Sequence, residues 1–366
     1  MNTNHPSLIL GIFIMSISPY LLSGSTTNAV SNIKPDETVQ FFSTAAWLDE
    51  QSQTWHIPIH AWVYEPEDSR IRLNIIASVL DAKYVLKVTD SNKNNFDRRI
   101  NLLIADNERS KQLIISLAGN SYRLKKTNAK GQSFTLLEVP ASQLKESGDV
   151  VKFQVSLAKT DPRSFSGIAY LLNPRGLSIL SDIDDTVKIS EVNDHGKLFD
   201  NTFYQDFRPV QGMVNLYREL SAVNASLHFV SSSPWQLYPV LDEFFDSVGF
   251  PQRTISLKTV RFRDSSFFNL FKKGDRTKPK QIGPLLDSFP ERKFILIGDS
   301  GEQDATVYRK IIEDKGNQII AAFIRRLDSE QTDTLETDEK LFYFREPDEI
   351  RTILQDMAIL KQPGIL

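Results

Sequence analysis

The chain contains no cysteine among its 366 residues and only five histidines. Without a thiol it can form no disulfide, no thiolate metal site and no cysteine nucleophile. It also lacks an excess of basic charge, because 43 Lys and Arg face 46 Asp and Glu, for a formal net charge of −3. General nucleic-acid binders are usually clearly basic, so we expect no nucleic-acid partner. The remaining composition, 40% hydrophobic and 24% charged, is that of a globular protein long enough for two domains.

Long apolar runs are scarce as well, and the one that is present extends from Leu8 to Leu22. Small residues follow it between Ser23 and Ala29, a pattern that predicts a signal peptide over residues 1–29. We therefore expect an exported protein, periplasmic or secreted. An uncleaved anchor is the alternative, although the run is shorter than the ~20 residues of a spanning helix. The residues before the run include no Lys or Arg, which a signal peptide usually carries.

Residues 36–172 show the pattern of short strands and little helical periodicity. The clearest alternation of apolar and polar residues runs from Trp55 to Tyr64, and another runs from Val151 to Leu157. Short apolar runs at 113–115 and 134–137 lie between turn-rich stretches. We therefore predict a β-sandwich-like accessory domain over residues 30–175, whose role the sequence does not reveal.

After Gly176 the pattern changes to strands that alternate with amphipathic helices. This alternation is typical of a mostly parallel, Rossmann-like sheet with helices on both faces. We therefore predict an α/β domain over residues 176–366. Its predicted buried strands are 177–180, 227–230, 294–297 and 319–324, and its predicted helices include Leu216, Leu241, Leu285 and the stretch 307–312.

Polar residues follow three of these strands. The first strand leads into Asp182-Ile183-Asp184-Asp185-Thr186, the second into Ser231-Ser232-Ser233, and the third into the run from Gly298 to Asp304. A helix start with Thr277-Lys278 lies between the second and the third. Ligands bind at the carboxyl ends of the strands in such a sheet, so these segments converge on one crevice if the strands are neighbours.

Each residue type in this crevice has a use in the chemistry of a phosphate ester. A carboxylate at Asp182 can attack phosphorus and form an aspartyl-phosphate. Asp184 can protonate the leaving oxygen and later deprotonate the attacking water. Ser231 and Lys278 can hold the phosphoryl oxygens in the transition state. The crowded negative charge requires a cation, and Mg²⁺ prefers oxygen ligands. The predicted metal-site residues are Asp182, Asp299, Asp184 through its backbone carbonyl, and Asp304 in the outer shell.

The four segments, in this order, match the four motifs of the haloacid dehalogenase superfamily. The amino-acid sequence of residues 181–188, 230–239 and 296–301 resembles more closely the catalytic domain of the actin-patch-protein type of phosphatidate phosphatase. This resemblance spans roughly residues 176–348 and implies Mg²⁺-dependent hydrolysis of phosphatidate to diacylglycerol. Two positions depart from the family: Thr277 stands where it often has His, and Thr306 where it has an acidic residue. Neither departure removes a catalytic group.

A lone D-x-D-x-T is a weak signal, whereas four motifs in order are a strong one. The main alternative is a phosphatase of soluble phosphomonoesters that uses the β-rich domain as a binding module. A second alternative is a protein that binds phosphate without hydrolysing it. His228 lies within a predicted strand and is interpreted as a core residue rather than a base. The sequence identifies no protein partner and no oligomeric state.

Residues 258–280 combine eight basic residues with several Phe and two Asp. One interpretation is a solvated insertion with a few packed rings. The other is a basic, aromatic lip that makes peripheral contact with an anionic membrane, because lysine and arginine near a surface attract anionic lipids.

Overall fold

The computed structural model describes residues 29–66, 90–259, 277–327 and 339–361. The predicted signal peptide lies outside these ranges except for its last residue. Most of the predicted lip at 258–280 also lies outside them. Within the described part of the chain, no helix is both long enough and apolar enough to cross a membrane.

The second half of the chain forms a six-stranded sheet in which every pairing is parallel. The strand order β12-β11-β10-β13-β14-β15 places the first strand in the middle, which is the doubly wound arrangement. The predicted α/β class is therefore confirmed. The strands are β10 (Leu177–Ser181), β11 (Ser226–Pro234), β12 (Arg253–Lys258), β13 (Lys293–Asp299), β14 (Ile319–Arg325) and β15 (Leu341–Phe344).

Helices cover both faces of this sheet because alternate residues of its strands are apolar on opposite sides. Phe294 and Leu296 of β13 belong to one core, and Ile295 and Ile297 belong to the other. The first core includes residues of α5 (Thr277–Ser288) and α6 (Asp304–Lys315). The second includes residues of α2 (His195–Phe203), α3 (Met213–Ala222), α4 (Tyr238–Val248) and α7 (Pro347–Asp356).

The first half of the chain forms a nine-stranded, mostly antiparallel sheet with the order β1-β3-β2-β9-β8-β5-β6, in which β4 and β7 also pair with β3. The pairing of β2 with β9 is parallel. The alternation around Trp55–Tyr64 corresponds to the long strand β3. The strands are β1 (Thr38–Phe42), β2 (Thr44–Asp49), β3 (Thr54–Glu65), β4 (Asp106–Asn107), β5 (Ile114–Leu117), β6 (Asn120–Arg123), β7 (Gln132–Pro140), β8 (Val150–Val155) and β9 (Ser166–Leu172).

One helix in this half, α1 (Asp90–Ile104), is a feature that the strand pattern does not predict. Its buried residues Phe96, Ile100 and Leu103 pack in the same core as Phe199 and Tyr204 of the second half, and the rings of Phe96 and Tyr204 are stacked 4.7 Å apart. The helix thus contacts the parallel-sheet half, although it precedes the predicted boundary at residue 175. That boundary itself falls between β9 and β10 and stays a prediction.

Candidate active site

The segment after β10 is positioned by backbone hydrogen bonds that continue the sheet. The Asp182 N–H donates to the Ile297 carbonyl at 2.8 Å, so Asp182 lies beside the end of β13. Asp185 follows in the left-handed region, with a φ of 56°. Its carboxylate accepts the backbone N–H groups of Ser190, Glu191 and Val192 at 2.7 to 2.8 Å, which compensates for that conformation. The second aspartate of the Asp-Asp pair therefore shapes the loop.

Lys278 joins three carboxylates from two segments, the one after β10 and the one after β13. Its Nζ lies 2.8 Å from Asp182 Oδ1 and 2.9 Å from Glu302 Oε2, and it also pairs with Asp304 Oδ1. The Lys278 side chain is only 4% exposed, so these contacts are screened little by water. Burial alone would lower the pKa of Lys278, but Asp182, Asp304 and Glu302 outweigh it and hold that pKa well above its ordinary value. Lys278 is therefore a permanently charged group at the centre of the site.

Asp182, Asp299 and Asp304 form a buried cluster whose carboxylate oxygens lie within 4.8 Å of one another. Burial raises the pKa of Asp182 well above its ordinary value; Lys278 opposes this, and the nearby carboxylates add to it. The pKa of Asp299 is raised for the same reasons, burial first and Asp304 next. Burying so many like charges around one ammonium is unfavourable unless a further cation is bound.

The hydrogen bonds of Asp299 fit such a cation. Its Oδ1 accepts the N–H groups of Gly301 at 2.7 Å and Glu302 at 3.2 Å, which orient the carboxylate. Its Oδ2 is buried and has no hydrogen-bond partner among the described residues. Buried carboxylate oxygens rarely lack a hydrogen-bond donor, and those that do often bind an ion. The predicted metal-site residues Asp182, Asp299 and Asp304 thus lie together and are chemically suited to a hard divalent ion.

Asp184 lies in a second group of contacts on the other side of this loop. Its Oδ1 contacts Lys188 Nζ at 2.8 Å and accepts the Ser190 hydroxyl at 2.7 Å. Its Oδ2 accepts the hydroxyls of Ser231 at 3.0 Å and Ser233 at 2.8 Å. Burial would raise the pKa of Asp184, but Lys188 and these hydroxyls hold it well below its ordinary range. The Asp184 side chain is not a member of the carboxylate cluster, and its backbone contact with a metal stays a prediction.

Three residues of the site were not assigned a role from the sequence. Glu302 pairs with Lys278 and also accepts the Ser232 hydroxyl at 3.5 Å, and it lies within the predicted fourth motif. Lys188 and Ser190 both contact Asp184. Lys188 follows Asp184 by four residues, but this spacing predicts a contact between two side chains only in a helix. Here the two residues meet because the loop folds back between them.

The geometry therefore places a buried carboxylate cluster, a charged lysine and hydroxyl donors at the carboxyl ends of three neighbouring parallel strands. Residues 177–326 match the family described as "Phosphatidate phosphatase APP1, catalytic domain". This part of the chain is similar to that catalytic domain. The resemblance seen in the motifs is thereby confirmed for these residues.

Two curated proteins are also similar to part of the chain. Phosphatidate phosphatase APP1 of Saccharomyces cerevisiae is 32% identical over 185 residues, which is 50% of this chain and 31% of that protein. An uncharacterized protein of Schizosaccharomyces pombe is 34% identical over 158 residues, which is 42% of this chain and 26% of that protein. The matches thus span about a third or less of each relative.

A solved structure described as a beta-phosphoglucomutase from Thermotoga maritima covers 50% of this chain and 99% of its own at 12% identity, with a TM-score of 0.30. So low a TM-score supports no conclusion about fold or function.

Proposed function

We propose that this chain is a Mg²⁺-dependent phosphomonoesterase that hydrolyses phosphatidate through an aspartyl-phosphate at Asp182. The observation that carries the proposal is the buried cluster of Asp182, Asp299 and Asp304 around Lys278, within the residues that match the catalytic-domain family. Mg²⁺ bound there would neutralise negative charge on the phosphoryl group and on the carboxylates. Phosphatidate is proposed as the substrate because the relative from Saccharomyces cerevisiae is named as a phosphatidate phosphatase. The chain spans only part of that protein.

In the first step, a carboxylate oxygen of Asp182 attacks phosphorus and the bond from phosphorus to the leaving oxygen breaks. Asp184 supplies a proton to that oxygen, so the product leaves as an alcohol. Lys278, held beside Asp182, stabilises the charge on the equatorial phosphoryl oxygens. In the second step, water attacks the aspartyl-phosphate, its proton passes to Asp184, and inorganic phosphate leaves. Asp182 is then restored as a carboxylate.

The test is a substrate comparison with purified protein in Mg²⁺. We expect turnover of phosphatidate in detergent micelles to exceed that of glycerol 3-phosphate, and Asp182→Asn to lower both by several orders of magnitude. The thermal midpoint of Asp182→Asn should confirm that the variant is folded. Faster turnover of the soluble ester would favour the alternative of a soluble-phosphomonoester phosphatase. Turnover by Asp182→Asn above about a tenth of wild type would contradict the assignment of the nucleophile.

From the sequence alone we also propose that the protein is exported after cleavage near Ser25 or Ala29 and that the segment 258–280 contacts anionic membranes. N-terminal sequencing of protein from the extracytoplasmic fraction checks the first proposal. An uncleaved N terminus there would contradict it.

Salt-dependent binding to vesicles that contain phosphatidate checks the proposed membrane contact of the segment 258–280, because charge attraction at a membrane weakens with ionic strength.

A further inference from the structure

A cleft of about 550 Å³ lies between the two sheets and is lined mainly by apolar side chains. On one wall, Phe42, His60 and Phe134 of the nine-stranded sheet are stacked in a row, with successive ring centroids 3.9 and 4.2 Å apart. The opposite wall is formed by β12 and by the α5 residues Pro284 and Leu285. This arrangement leaves an apolar channel between the two halves of the molecule.

The apolar surface of this cleft is not fully used by packing within the protein. Phe134 is 50% exposed and Leu136 is 38% exposed, and both line the cleft. Large apolar residues gathered around one open cleft are typical of a ligand-binding surface. The volume also falls within the range of about 300–1,000 Å³ that is usual for small-molecule sites.

Two residues of the cleft lining are next to Ser231 of the candidate active site. Val230 lines the cleft and directly precedes Ser231. Gln281 also lines it, and its Nε2 donates to the carbonyl of Ser231 at 3.4 Å. Lys280 is the charged side chain of the lining and follows Lys278 by two residues on α5, a rise of about 3 Å along the helix. Part of the cleft therefore lies beside Ser231 of the site.

We propose that this cleft binds an acyl chain of an amphiphilic phosphate monoester whose phosphoryl group is at Asp182. The proposal rests on the proposed function and deepens it, because it assigns the chain-binding site and gives the nine-stranded sheet a role as one of its walls. Such a ligand has an anionic end for Lys278 and an apolar tail for the stacked rings. Residues 254–257 of β12 run along the cleft for about 10 Å, which gives the tail an extended wall.

The probe is a series of n-alkyl monophosphates from butyl to decyl, used below their micellar concentrations. We expect kcat/KM of the wild type to rise with chain length by up to about fourfold per buried methylene. The combined variant Phe134→Ser and Leu136→Gln should flatten this dependence. Leu285→Gln, on the opposite wall, should have the same effect. The control is Met357→Gln, which changes an apolar side chain that is 37% exposed and outside the cleft. It should keep the wild-type dependence.

A second readout separates this proposal from the proposed function. Trp47 and Trp235 line the cleft, so octyl phosphate brominated at its tail should quench tryptophan fluorescence saturably. In the Phe134/Leu136 variant, the concentration that gives half-maximal quenching should rise at least tenfold. Quenching without turnover of any monoester would defeat the proposed function and support the cleft. Turnover without quenching, or a chain-length dependence that survives in the cleft variants, would overturn the cleft proposal alone.

Discussion

Asp184 is bound by Lys188 and by three serine hydroxyls, a set of contacts that favours its carboxylate form. A general acid must hold a proton when the bond to the leaving oxygen breaks. In the proposed mechanism Asp184 therefore has to leave Lys188 and bind the leaving oxygen. The Ser231 hydroxyl contacts Asp184 rather than Lys278, so this hydrogen bond also has to change when Asp184 binds the leaving oxygen.

The role of Asp184 predicts a dependence on the leaving group. Asp184→Asn should lower turnover of an alkyl phosphate by about 10²–10⁴, since the alkoxide needs a proton to depart. Turnover of p-nitrophenyl phosphate should fall less in its first step, because nitrophenolate leaves without one, and a phosphoenzyme should accumulate in acid-quenched samples. Asp182→Asn should lower the turnover of both esters alike. If Asp184→Asn lowers both by the same factor and forms no phosphoenzyme, another group is the acid.

Asp299 is a predicted metal ligand, and a substitution at Glu302 offers a control for testing this role. Removing divalent ions with chelator should abolish turnover, and Mg²⁺ should restore it. Asp299→Asn removes the charge of a carboxylate with an unpartnered buried oxygen, so the Mg²⁺ concentration for half-maximal activity should rise at least tenfold. Glu302→Gln changes a carboxylate that contacts Lys278 but lies outside the cluster. That variant should need no more Mg²⁺ than wild type; an equal rise in both variants would contradict the ligand assignment.

The turn from β13 into α6 depends on a glycine. A methyl group at Gly298 would lie 2.8 Å from Cβ of Asp304, closer than carbon atoms approach in packed proteins. Gly298→Ala should therefore lower the free energy of unfolding by about 1–3 kcal/mol and displace Asp304. Gly283→Ala in α5 is the matched control, because a methyl group there meets no atom of the described residues within 4 Å. It should raise stability by roughly 0.5–1 kcal/mol. Urea denaturation of both variants measures the difference, and equal stabilities would contradict the steric argument.

The strands and helices of the parallel sheet were predictable because their apolar periodicity is strong. Strands β11, β10 and β13 are adjacent, as convergence of the three polar segments required. Helix α1 was not predicted, since Phe96, Ile100 and Leu103 have helical spacing but lie in a polar stretch. Glu302 could not be singled out because the contact with Lys278 depends on how the loop after β13 turns. The spacing of apolar residues in the sequence shows which of them share a face of a helix or strand, whereas contacts between loops depend on the tertiary fold.

The two halves of the molecule are joined by specific polar contacts as well as by the shared core. The Tyr238 hydroxyl accepts the Ser43 N–H at 2.9 Å, and the Ser43 hydroxyl donates to the Arg253 carbonyl at 3.0 Å. Arg253 in turn pairs with Asp242 and Asp246 at 2.6 and 2.7 Å. These contacts lie near β12, so the strand that forms one wall of the cleft is fixed to the nine-stranded sheet.

The free energy of unfolding of the whole chain should depend on pH through His228. Its ring is 2% exposed, and its Nε2 and Nδ1 lie 3.2 Å from Ser178 Oγ and 2.8 Å from Thr254 Oγ1. Burial, helped by the nearby charge of Arg292, lowers the pKa of His228 from 6.5 to about 3. The folded protein therefore keeps the ring neutral at a pH where the unfolded chain protonates it.

The sign of the effect follows from proton binding. Above pH 6.5 neither state protonates His228; between pH 6.5 and about 3 the unfolded state binds a proton that the folded state does not, so stability falls as pH falls. From pH 6.5 to 4.5 this amounts to about 2.7 kcal/mol at most. Urea denaturation of wild type and His228→Gln should differ by a constant above pH 7.5, and this difference should change in favour of the variant by up to that amount at pH 4.5. Because other titrating groups are common to both proteins, the comparison isolates His228. A difference that is the same at pH 7.5 and pH 4.5 would mean that the ring accepts its proton inside the fold.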